Sequence, residues 1–118
     1  MKTLVIGASE NAERYSNKAV RMLREYGHPV VAIGLREGSI EDVAIVTGKP
    51  ALEEIDTVTL YVGPARQDDL IDYVVGLQPR RVIFNPGTEN AVFQGKLGES
   101  GIEAIEACTL VMLRTGQW

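Results

Sequence analysis

Short runs of apolar, largely β-branched residues alternate along this chain with stretches of helical periodicity. The runs are Thr3–Ile6, Pro29–Ile33, Thr57–Val62, Arg81–Phe84 and Ile102–Ile105. They show little polar alternation, so each suits a strand covered on both faces, as in a parallel sheet. Between the first two runs, Ala19, Met22, Leu23 and Tyr26 share one helical face. Ser16 is placed to cap that helix, and Gly27 followed by Pro29 ends it. Between the third and fourth runs, Leu70, Ile71, Val74 and Val75 form a second stripe, with Asp68 and Asp69 in its first turn. A weaker helix is expected over Glu89–Ser100, interrupted by Gly95 and Gly98, and a last short one after Cys108.

Strands alternating with helices imply right-handed crossovers and a doubly wound α/β fold. The expectation is a single Rossmann-like domain over residues 1–118, with a mostly parallel five- or six-stranded sheet and helices on both faces. The first strand is expected at its centre, flanked by the second and third runs. Gly38 to Asp56 is less regular. Val43–Val46 reads as a short edge strand and Ala51–Ile55 as a short helix.

With 118 residues, the chain can bury about two-thirds of its unfolded surface without a disulfide or a metal. Cys108 is the single cysteine, which suits a reducing, cytoplasmic setting. No apolar run approaches the ~20 residues of a membrane helix, and the first run is too short for a signal sequence. The net charge is -4, with Lys and Arg scattered, whereas nucleic-acid binders carry a basic stripe. The composition therefore points away from nucleic acid and membrane, whereas an open α/β sheet is built to bind a ligand.

That ligand is expected at the switch point beside the loop after Ile6, beyond the carboxyl ends of the strands. The loop runs Gly7-Ala8-Ser9-Glu10-Asn11-Ala12-Glu13-Arg14-Tyr15-Ser16-Asn17-Lys18. A glycine directly after a buried strand lets an anion approach the backbone. The helix that follows aims free N–H groups at the same space. Ser9, Ser16 and Asn17 can add neutral donors, and Arg14 and Lys18 can add charge, making a diphosphate cradle. Neither the GxGxxG fingerprint nor the P-loop pattern is present. The second strand ends Gly34-Leu35-Arg36-Glu37. A cation there suits the phosphorylated ribose of NADP or coenzyme A, while Glu37 keeps NAD open. The third strand ends Val62-Gly63-Pro64 and the fourth Asn85-Pro86-Gly87, completing a small, glycine-lined rim.

Four stretches then carry a more specific likeness: Val5-Ile6-Gly7-Ala8-Ser9, Arg14-Tyr15-Ser16-Asn17-Lys18-Ala19, Phe84-Asn85-Pro86-Gly87-Thr88-Glu89-Asn90 and Ala107-Cys108-Thr109-Leu110-Val111-Met112-Leu113. In this order they resemble the small stand-alone CoA-binding proteins, which are similar to the CoA-binding domain of the succinyl-CoA synthetase alpha subunit. The resemblance implies a Rossmann fold with the CoA nucleotide across the first loop. It implies Gly7, Ala8 and Ser9 along the diphosphate, and Ser16, Asn17 and Lys18 on phosphate. The adenosine would lie at the end of the second strand, and Val62 to Pro64 along the ligand. Family members often carry an Asn-Pro pair where this chain has Gly34-Leu35.

Catalytic candidates are few. His28, the only histidine, falls at the amino-terminal side of the strands and reads as structural or solvated. Cys108 reads as a small space-filling residue, with a lowered thiol pKa as its functional alternative. Glu89 reads as a helix-start residue. No metal-ligand spacing is present. The chain reads as a non-catalytic carrier or sensor of CoA or acyl-CoA. Two alternatives stay open: an NADP-binding oxidoreductase-like subunit, and an interaction protein that has lost its ligand. A second copy or another protein as partner is left open as well.

Overall fold

The computed structural model describes residues 2–118. In chain order the elements are β1 (Lys2–Ala8), α1 (Tyr15–Glu25), β2 (Val30–Gly34), β3 (Gly38–Ile40), β4 (Val43–Val46), β5 (Ile55–Leu60), α2 (Ile71–Leu77), β6 (Arg81–Phe84), α3 (Ala91–Glu99), β7 (Glu103–Glu106) and α4 (Thr109–Arg114). The strands form one sheet of order β3-β4-β2-β1-β5-β6-β7. Every neighbouring pair is parallel except β3 with β4.

The fold is the expected doubly wound one, with β1 at the centre between β2 and β5. Side chains of β1 alternate between two cores. Leu4 and Ile6 join the cluster that takes in Ile71 and Val74 of α2 and Phe93 and Leu97 of α3. Val5 and Ala8 join the cluster with Val20 and Leu23 of α1 and Leu113 of α4. Phe84 and Phe93 meet edge-to-face at 5.3 Å, an arrangement that adds ~0.5–1.5 kcal/mol to simple burial.

Several local expectations change. The sheet has seven strands rather than five or six, because Gly38–Ile40 forms an antiparallel hairpin with β4 and takes the outer edge. Val43–Val46 is therefore one strand in from that edge. Ala51–Ile55 is not a helix. Ile55 opens β5, and the Glu54 carbonyl accepts the Lys2 N–H at 3.0 Å, which draws this segment into the sheet. Ser16 does not cap α1. Arg14 is the N-cap residue, in extended conformation, and Ser16 is buried inside the first turn. The buried stripe of α1 is Ser16, Asn17, Ala19, Val20 and Leu23, and Tyr26 falls off it with 51% exposure. Asp68 and Asp69 lie in a 3-10 turn just before α2 rather than in its first turn.

Candidate functional site

The loops after β1, β2, β5 and β6 surround one cavity of about 790 Å³ at the carboxyl edge of the sheet. That size is ordinary for a small-molecule site. Gly7 is where the backbone must come closest. Its φ is +99°, and a Cβ there would stand 3.0 Å from the carbonyl carbon and oxygen of Tyr61. Only glycine adopts this conformation without strain.

Side chains below and beside the first loop hold it. The buried Asn17 donates from Nδ2 to the Ser9 carbonyl at 2.8 Å, and its Oδ1 accepts Arg21 Nε. The Ser9 hydroxyl accepts the Asn11 N–H at 3.1 Å, and Asn11 Oδ1 accepts the Glu13 N–H at 3.0 Å. Tyr15 and Ser16, the first two residues of α1, line the cavity. Arg14 supplies no side-chain cap, and no acidic residue occupies the first turn of α1. The positive end of the helix dipole therefore opens on the cavity with neither a side-chain cap nor a first-turn carboxylate on it.

Three guanidinium-bearing residues line the cavity: Arg14 from the first loop, Arg36 after β2 and Arg66 after β5. Glu10 is the one carboxylate lining it, and its Oε2 accepts the Ser39 N–H at 3.0 Å. The cavity rim is thus cationic in a chain whose net charge is -4. Leu35, 79% exposed, adds an apolar face at the end of β2. A second, smaller cavity of about 390 Å³ continues from the first. It is lined largely by apolar residues, among them Ile6, Ile33 and Leu70, and shares Gly7, Leu35, Val62 and Arg66 with the larger one.

Of the residues singled out in the sequence, Gly7, Ala8, Ser9, Arg14, Ser16, Leu35, Arg36, Val62, Gly63, Pro86 and Gly87 line the larger cavity. Gly34 lines the smaller one. A Cβ at Gly34 would fall 2.3 Å from the Ala8 carbonyl oxygen, so this glycine lets β2 pack on β1. Four residues stand outside both cavities. Asn17 braces the loop from beneath. Lys18 is exposed, with its ammonium 5.2 Å from the Tyr15 ring centroid. Pro64 opens a 3-10 turn after β5. Asn85 is buried, donating to Thr59 Oγ1 at 2.6 Å and the Leu60 carbonyl at 2.8 Å while accepting the Thr109 N–H at 2.9 Å.

Glu10, Asn11, Tyr15, Tyr61, Arg66 and Thr88 also line the cavity and were not singled out. Each sits at or just after a strand's carboxyl end or at the front of α1, so the strand-end rule was the available signal. Two cavity walls are joined by the buried Gln67. Its Nε2 donates to the carbonyls of Val62 at 2.7 Å and Thr88 at 2.8 Å, and its Oε1 accepts Asn90 Nδ2 at 2.9 Å.

His28, Cys108 and Glu89, the candidate reactive groups, are not among the residues that line this cavity. His28 packs 6.0 Å from the Trp118 ring. Cys108 holds the N-cap position of α4 and does not line the cavity. Glu89 accepts the Gly87 N–H at 2.9 Å, and Asn90 caps α3 by accepting the Phe93 N–H. Among the described residues, no group of His, Cys, Asp and Glu is arranged to hold a metal ion, and no helix is long and apolar enough to cross a membrane.

The architecture is shared with known proteins. Residues 1–114 match the CoA binding domain family. The chain belongs to that family. A crystal structure of an uncharacterized protein, 42% identical, superposes with a TM-score of 0.96 and covers 99% of this chain and 97% of its own. A protein from Thermus thermophilus, 23% identical, has a TM-score of 0.85 and covers 99% of this chain and 90% of its own. The dinucleotide-forming acetyl-coenzyme A synthetase 1 of Ca. Korarchaeum cryptofilum, solved with phosphate and ADP, shares the fold at 14% identity and a TM-score of 0.71. There the match takes in 90% of this chain and 25% of the synthetase. Comparison with curated proteins finds no match. The family match thus spans nearly the whole chain, as the resemblance carried by the four stretches implied.

Proposed function

We propose that residues 1–118 act as one CoA-binding domain that carries or senses coenzyme A or an acyl-CoA without catalysing a reaction. One observation carries this reading: the uncapped front of α1 opens, beside the bare backbone of Gly7, into a cavity rimmed by Arg14, Arg36 and Arg66. Free backbone N–H groups, a helix dipole and guanidinium groups all favour phosphate oxygens. The diphosphate lies across Gly7, Ala8 and Ser9 with the front of α1 on it, and Lys18 adds charge from the exposed side. The adenosine lies toward Gly34 and Leu35, with the exposed Leu35 side chain against the base and Arg36 on the phosphorylated ribose. The pantetheine arm runs along Val62 to Pro64 and the Asn85-Pro86-Gly87 turn. Family membership supports the choice of CoA over a dinucleotide.

Isothermal titration calorimetry with CoA, acetyl-CoA, NAD and NADP tests the reading. CoA or acetyl-CoA binds, and at a hundredfold excess over its dissociation constant raises the unfolding free energy by ~2.7 kcal/mol. Binding of NADP or NAD with no response to CoA would replace it by the oxidoreductase-like alternative. No binding of any of the four would leave the ligand-free interaction protein.

A further inference from the structure

We propose that Arg66 is a further phosphate-binding cation, facing the front of α1 across the cavity, and that it recognises the diphosphate of the ligand rather than its phosphorylated ribose. The proposal rests on the nucleotide reading above and adds a residue to it. Arg66 ends a 3-10 turn in which Pro64 holds the first position and the Arg66 N–H donates to the Gly63 carbonyl at 3.0 Å. The next residue is the fully buried Gln67, bonded to both flanking walls. The backbone that presents Arg66 is therefore fixed on both sides, while the side chain is exposed.

Its position is distinctive. Four residues line both cavities, and among Gly7, Leu35, Val62 and Arg66 only the last is charged. The carboxylates that line the two cavities are engaged elsewhere: Asp69 pairs with Lys49 at 3.8 Å, and Glu10 accepts the Ser39 N–H. Among the described residues Arg66 has no ion pair. Its planar fork can therefore take two oxygens of a phosphate at once.

The sheet order explains the choice of phosphate. Arg36 follows β2 and Arg66 follows β5, on opposite sides of β1. A ligand that crosses the sheet edge over Gly7 with its ribose toward β2 brings its diphosphate, not its ribose phosphate, between α1 and Arg66.

Calorimetry with CoA, 3′-dephospho-CoA, ADP and pantetheine separates the roles, using the wild type and the Arg66→Ala, Arg66→Lys and Arg36→Ala variants. Arg66→Ala should weaken CoA, dephospho-CoA and ADP by a similar factor of about ten or more, and leave pantetheine unchanged. Arg66→Lys should recover only part of the loss, because a point charge lacks the fork. Arg36→Ala should weaken CoA and spare dephospho-CoA. Because Arg66 is exposed, an unchanged melting temperature of Arg66→Ala verifies folding. Wild-type affinity of Arg66→Ala for ADP and dephospho-CoA would overturn the proposal, as would a loss confined to CoA. A wild type that binds none of the four overturns the nucleotide reading and this proposal together.

Discussion

Gly7 and Tyr61 meet backbone to backbone at the carboxyl edge of the sheet. The Tyr61 N–H donates to the Ile6 carbonyl at 2.8 Å, and a Cβ on Gly7 would press on the Tyr61 carbonyl at 3.0 Å. Gly7→Ala should therefore destabilise the fold by about 2 kcal/mol, combining a positive-φ penalty with a contact against rigid backbone. Urea unfolding measures this. Stability equal to wild type would mean the turn relaxes freely and does not constrain the cavity.

The Tyr61 hydroxyl is buried without a hydrogen-bond partner, while its neighbours Thr59 and Thr109 bond to each other at 2.8 Å. Burial pushes its pKa up to about 12. The folded state thus holds this proton more tightly than the unfolded chain does. Its contribution to stability is present in full below pH ~10, the ordinary tyrosine value, and fades as pH rises toward about 12. Tyr61→Phe should match or exceed wild-type stability at pH 7, since no bond is lost, and should lose less stability than wild type between those two values. Chemical denaturation at pH 7 and pH 11 checks both parts.

Most of the sheet was legible because buried strands advertise themselves as apolar runs. The central position of β1, both sides of the switch point and the helices after β1, β5 and β6 followed from run order and stripe spacing. The β3–β4 hairpin was not legible as such, since Gly38-Ser39-Ile40 carries no apolar alternation long enough to mark a strand. Ala51–Ile55 reads as a short helix, yet only Ile55 joins the sheet and the four residues before it have no regular structure. In the site, glycines at strand ends were readable. Glu10, Tyr61 and Arg66 were not, because only the folded loops bring them to one cavity. Asn17 illustrates the limit well: its polar side chain suggested a ligand donor, yet the fold also uses it to brace Ser9 from beneath.

The buried Asn85 ties β5, β6 and the start of α4 together through three hydrogen bonds. Asn85→Leu removes the side-chain partners of Thr59 and of the Thr109 N–H. It should cost roughly 2–4 kcal/mol, from orphaned buried groups and overpacking. A thermal melt reads this directly. A loss under 0.5 kcal/mol, on the scale of a neutral surface change, would show that α4 is anchored by other contacts.

Gln67 should matter to ligand affinity without touching ligand. Gln67→Met keeps volume but removes the bonds to the Val62 and Thr88 carbonyls, freeing two cavity walls. The expected outcome is about tenfold weaker CoA binding, or more, together with a stability loss of about 1–3 kcal/mol. Affinity is compared at a temperature where the variant is fully folded. Unchanged affinity would assign Gln67 to folding alone.

Asp56 pairs with Arg80 at 3.1 Å, and the guanidinium holds its carboxyl below the usual range, aided by Thr57. A depressed carboxylate pKa stabilises the fold above the unfolded value, near pH ~4, and that contribution disappears as pH falls below it. Asp56→Asn should cost less than about 1 kcal/mol at pH 7, since the Arg80 end is exposed. The difference from wild type should narrow as pH falls below the unfolded carboxylate value of ~4, a closure that acid-side unfolding curves would reveal.

A crystal structure of the CoA complex is the most direct trial of the whole account. Diphosphate oxygens should lie within hydrogen-bonding distance of backbone N–H groups at the front of α1, over Gly7 and facing Arg66. A complex with the diphosphate held elsewhere, and that turn closed by protein side chains alone, would contradict it.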